Sequence, residues 1–113
     1  MSKRDELIEK YAADLRVKCQ VDPDMDLLTK VTIGCGPAIY DADGETIAAS
    51  DPAELDRVRQ NFLIRKLGLP DGPALAEALE GVFDTYGRAE RQKYRVVVYY
   101  LLTVHFRKQA VYG

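Results

Sequence analysis

Eleven consecutive residues, VVVYYLLTVHF from Val96 to Phe106, constrain this chain more than any other stretch, because nine of them are apolar. A run of that kind has to be covered on nearly all sides, either as an inner strand or as a helix that other elements wrap. Val and Tyr favour the strand. Against it, no Gly or Pro falls between Gly87 and Gly113, and Tyr94, Val97, Val98, Leu101, His105 and Lys108 keep an i, i+3/i+4 rhythm. The spacing predicts a helix over about residues 88–108, buried at the centre of the molecule.

The remaining segments read as its covers. Leu7, Ile8, Tyr11, Ala12, Leu15 and Cys19 recur at helical spacing with charged residues between them, predicting an amphipathic helix over about 3–18. In VDPDMDLLTKVTIGCG, Asp22 is a candidate N-cap with Pro23 in the first helical position, and Met25, Leu28, Val31 and Cys35 form the face to be buried. SDPAELDRVRQNFLIRKLGLP predicts a third helix over about 52–67. Asp51 and Glu54 would form an Asp-led capping box, Gly68 the left-handed stop and Pro70 the block. Leu75, Leu79, Val82, Phe83 and Tyr86 predict a fourth helix closing at Gly87. The fold class expected is all-α: about five helices in an irregular array around the hydrophobic C-terminal one. The alternative is a small α+β fold in which residues 38–48 form a hairpin with Asp43 and Gly44 in its turn, joined by RVVVYYLL as a third strand.

A chain of 113 residues suits one domain, 1–113, and 47% hydrophobic with 30% charged residues is too apolar for intrinsic disorder. No apolar run reaches the length of a membrane span, and no secretion signal follows Met1, so a cytoplasmic location is expected. In that reducing setting Cys19 and Cys35 are free thiols, and two cysteines without neighbouring histidines close no zinc site. The net charge of −2 conceals a polarity: residues 1–56 carry −7, residues 57–84 are neutral and residues 85–113 carry +5. Such a chain can dock its own halves, pair with a copy of itself, or meet a charged partner.

Candidates for chemistry are few. Cys35 stands between Gly34 and Gly36 at a helix C-terminus, where the dipole disfavours a thiolate, and the acids Asp41, Asp43 and Glu45 follow. The glycines read as helix-stop residues. DADGE has part of the spacing of a calcium loop, but Ile39 and Ser50 fall where the terminal ligands belong, so a solvated turn is expected. His105 has no partner in sequence and is expected to be a packed histidine bonded to backbone. If there were catalysis, Cys35 or His105 would carry it. No cofactor or metal site is expected.

The feature that asks for a function is GRAERQKYR, which would crowd Arg88, Arg91, Lys93 and Arg95 into the first two turns of the last helix, where cations oppose the dipole. The sequence suggests that they dock against the acidic first helices. The competing role is contact with an anion or nucleic acid, which an acidic chain with pI ≈ 5.4 disfavours. The function expected is therefore a non-catalytic protein-interaction or accessory module, with a protein partner or self-association.

DMDLLTKVTIGCGPAIY, NFLIRKLGL and KYRVVVYYLLTVHF carry a more specific signal. Through them, and from KRDELIEKYAADL to the final AVYG, the chain resembles a family of small bacterial proteins known as domain of unknown function 2853. The resemblance implies a stand-alone bacterial cytoplasmic protein without an assigned activity, and it supplies no functional residues.

Overall fold

The structure is a computed structural model that describes residues 2–113. Six helices, and no strand among the described residues, make the protein all-α. α1 spans Lys3–Val17 and starts with a reciprocal capping box, in which Ser2 Oγ accepts from the Asp5 amide and the Asp5 carboxylate accepts from the Ser2 amide. Its predicted face, Leu7 to Leu15 together with Cys19 beyond its end, is buried as expected.

α2 spans Met25–Cys35 and begins two residues later than the sequence suggests. Asp24, not Asp22, is the cap: its Oδ1 accepts from the amides of Asp26 (3.0 Å) and Leu27 (3.2 Å). The choice between the two acids is tertiary, because the Asp24 amide itself donates to the Tyr100 hydroxyl at 2.8 Å. A 3₁₀ turn, Gly36–Tyr40, leads into the one-turn helix α3, Ala42–Glu45.

α4, Pro52–Arg57, continues without a break into a π-helical stretch, Val58–Lys66, that ends with the Leu67 amide on the Phe62 carbonyl. The wider turns send Val58, Phe62 and Leu63 inward and lay the Phe62 ring flat on Tyr99, with 3.8 Å between centroids. Gly68 then takes φ 72°, the left-handed stop expected of it, and the Leu69 amide reaches back to the Leu63 carbonyl. The predicted capping box is absent: Asp51 caps through the Ala53 amide, while Glu54 points into the molecule.

α5 spans Pro73–Tyr86 and buries the predicted face. α6 spans only Arg95–His105, shorter at both ends than predicted. Residues 88–94 are not helical because their polar groups are used elsewhere: the Lys93 carbonyl accepts from the Ile47 amide, and the Tyr94 amide donates to the Tyr86 hydroxyl. At the other end Arg107 adopts φ 55° and the Lys108 amide bonds back to Thr103, a stop made without the glycine that would have announced it.

α6 is the central helix expected. It packs against α1, α2, α3 and α5 and buries Val96, Val97, Val98, Tyr100, Leu101, Leu102 and Thr103 in one apolar core. Of the hairpin alternative only a single antiparallel bridge between Thr46 and Tyr94 exists. Gly44 is not a hairpin turn residue: a Cβ there would lie 2.9 Å from the Ala38 carbonyl oxygen, so a side chain is excluded by close backbone approach.

Candidate functional site

The polar chemistry of the molecule converges on Arg95, the first residue of α6. Its guanidinium donates to the carbonyls of Gly44 (2.7 Å) and Thr46 (3.3 Å), to the Tyr99 hydroxyl (3.1 Å) and to Glu54 Oε1 (2.6 Å). One side chain thus ties α6 to α3, to the chain after it and to α4. Glu54, buried on the same face of its helix as Val58 and Phe62, gives its second oxygen to Arg57 at 2.8 and 3.1 Å. Burial alone would raise the Glu54 carboxyl, but hydrogen bonds from Arg95 and Arg57 outweigh it and hold the group below the ordinary carboxylate range.

A second set of contacts fixes α1 beside this hub. Glu45 accepts from Lys10 (2.8 Å) and from the buried Tyr11 hydroxyl (2.6 Å), while Tyr86 donates to Asp14 at 2.5 Å and Lys18 bridges Asp14 and Glu90. Among the described residues every buried side-chain nitrogen and oxygen has a partner. These bonds fix how the helices dock.

The four basic residues that the sequence gathers are dispersed, since only Arg95 lies on α6. Arg88 is exposed and clamps Glu80 and Asp84 of α5, rather than the acidic first helices. Lys93 is buried with its ammonium on the Glu90 carbonyl, and burial pushes its pKa down. Arg91 alone is both exposed and free of any ion pair among the described residues. No shared phosphate-binding face results, because three of the four guanidinium or ammonium groups already have partners within the chain.

Cys35 ends α2 half-buried, and burial pushes its thiol up to about 11, with the nearby Arg95 pulling weakly the other way. Cys19 is pushed up to about 11 for the same reason. Both are free thiols. His105 departs from expectation: it is exposed, at the end of α6, with its ring edge-on to Phe106 at 4.8 Å. The acidic turn is less solvated than expected, since Glu45 faces inward. Among the described residues no three His, Cys, Asp or Glu side chains gather as metal ligands.

Among the concave surfaces of the molecule, two involve these residues. One is a groove of ≈ 420 Å³ between α5 and α6, with Ala74, Ala78 and Gly81 along one wall and Leu101, His105 and Phe106 along the other. The other is a cleft of ≈ 340 Å³ at the start of α4, lined by Asp43, Asp51, Glu54, Arg57 and Arg91 among others.

A family model described as protein of unknown function (DUF2853) matches residues 10–110. The chain belongs to this family. No curated protein matches it. The family is uncharacterised, so the roles of side chains in this member rest on their geometry. That geometry exposes what the sequence reading missed. Glu54 was visible in principle, since residues 54, 58 and 62 share one helical face and a carboxylate there needs a cation. The partner carbonyls of Gly44 and Thr46 left no mark in the sequence, because any residue offers a carbonyl.

Among the described residues no helix is long and apolar enough to cross a membrane.

Proposed function

We infer that this protein is a non-catalytic protein-interaction module of the bacterial cytoplasm, and that it receives an amphipathic helix of a partner in the α5–α6 groove. The observation that carries this reading is Gly81. It stands in mid-helix without a left-handed φ, and a Cβ there would meet nothing within 4 Å. Glycine in a helix interior costs about 0.5–1 kcal/mol relative to alanine. Nothing inside the molecule accounts for that cost, whereas a helix seated in the groove would use the missing side chain for close backbone approach.

The occupant suited to this surface has small and apolar residues at i, i+3/i+4 spacing and a cation opposite Glu77, which lines the groove and makes no ion pair among the described residues. The charge polarity of the chain supports an external partner as well. Among the described residues Arg95–Glu54 is the only ion pair joining a cation of residues 85–113 to an acid of residues 1–56, so the molecule does not close its own charge separation. Thiols held protonated at neutral pH favour a binding role over nucleophilic chemistry.

The test is affinity purification from the native cell with wild type beside Gly81→Leu, a change that fills the groove while favouring the helix. A protein recovered with wild type and lost with a folded Gly81→Leu supports the reading. Equal recovery from both removes the groove from the account. A mass in light scattering that rises with concentration, and does not rise in Gly81→Leu, would make the occupant a second copy. Recovery of nucleic acid with a steep loss as salt rises would return the function to the anion-binding alternative.

A further inference from the structure

Two features that the interaction reading leaves aside, the acidic turn around Asp43 and the exposed Arg91, meet in the second cleft. We propose that this cleft binds a free α-amino acid, with the carboxylate held by Arg57 and Arg91 and the ammonium by Asp43 and Asp51. The site is separate from the α5–α6 groove, and the proposal stands or falls independently of it.

Glu54 presents both oxygens to arginines, Oε1 to Arg95 and Oε2 to Arg57, and its side chain is only 10% exposed. That anchorage fixes the position of the Arg57 guanidinium by its Nε and one Nη, and leaves its other Nη directed away from Glu54 on a side chain that is 59% exposed. A guanidinium fixed along one edge with its other side open is organised for a second carboxylate. Arg91 borders the same cleft with no ion pair of its own among the described residues.

The same lining carries the complementary charge. Among the described residues the Asp43 side chain has no partner, and Asp51 uses one oxygen to cap α4 through the Ala53 amide while its other oxygen has none. Among the described residues none of these four makes an ion pair with another, so two cations and two of the lining's three acids share one concavity without neutralising each other. Glu54, the third acid of the lining, is taken up by Arg95 and Arg57, so the unpaired groups that remain are of both signs. A ligand with only an anion or only a cation would satisfy the groups of one sign and face those of the other; one carrying both a short distance apart satisfies each. Ile47 and Ala48 add an apolar strip to the lining, which suits a small aliphatic side chain over a charged one.

The experiment is a nitrogen-15 amide NMR titration of the full chain with L-alanine and L-valine, with acetate and methylamine as the two half-ligands. A saturable shift of resonances around residues 43–57 and Arg91 is expected with the amino acids. Each half-ligand should bind at least about tenfold more weakly. Arg91→Ala and Asp43→Asn, both exposed positions outside the buried network, should keep the spectrum of a folded protein and each lose the saturable shift. Absence of any shift with either amino acid at millimolar concentration would overturn the proposal. So would acetate binding as tightly as alanine, which would reduce the cleft to a simple anion site. Undiminished binding in both variants would overturn it too.

Discussion

At its N-terminal end α6 is held by Arg95 through four hydrogen bonds to α3, the chain beyond it, α4 and its own next turn, whereas at its C-terminal end the same helix turns Leu101, His105 and Phe106 toward an open groove. The first end is polar and closed; the second is largely apolar and open. The difference separates two tasks. Hydrogen-bonded charge with low exposure accepts one arrangement of neighbours and so fixes how the helices dock, while an apolar groove with a vacant glycine position keeps surface for a partner.

The sharpest way to break this comparison is to remove the closed end. Arg95→Ala leaves Glu54 with only Arg57, and strips the Gly44 and Thr46 carbonyls of their donors; the expected loss is about 3–5 kcal/mol in denaturant unfolding. A loss below about 1 kcal/mol would mean that the hub is incidental.

Changing pH probes the closed end from both sides. The depressed Glu54 carboxyl contributes stability that is present above the ordinary carboxylate range and lost as pH falls through its lowered folded value. The two thiols act in the opposite sense. Their folded pKa values are raised to about 11, so the stability they contribute is present below the unfolded value near 9 and is lost as pH rises between the two. Unfolding midpoints should therefore fall at both extremes. Thiol reagents at neutral pH should label the native protein slowly and the unfolded protein fast. Fast labelling of native Cys35 would contradict the burial that raises its pKa.

Asp24→Ala should cost about 1 kcal/mol through loss of the α2 cap, with Asp22→Ala nearly neutral. The reverse ranking would restore the earlier helix start. The smallest expected effect concerns the open end, where Gly81→Ala should stabilise the protein by about 0.5–1 kcal/mol. Destabilisation there would show that the glycine serves the fold after all.

Much of this architecture was legible in the residues. The five long helices follow from apolar spacing and from Asp51, Gly68 and Gly87 as punctuation. What escaped has a common physical cause, a dependence on groups distant in sequence. Tyr100 selects Asp24 over Asp22, Ile47 holds Lys93 out of the helix, and Gly44 with Thr46 receives Arg95. The basic residues were expected to crowd the first two turns of the last helix because four cations fall within eight residues; non-helical backbone there disperses them. Neither groove nor cleft could be read, since concavity is a property of packed elements and not of a segment.

The central claim, that the Arg95–Glu54 pair fixes the arrangement of helices around the start of α6, is tested most directly by a double-mutant cycle of Arg95→Met and Glu54→Leu in denaturant unfolding. Each single change leaves a charge of low exposure short of a partner, and the double change leaves neither. The cycle should therefore give a coupling of about 1.5 kcal/mol or more, with the double variant at least as stable as the weaker single one. Losses that simply add, with a coupling near zero, would contradict the claim.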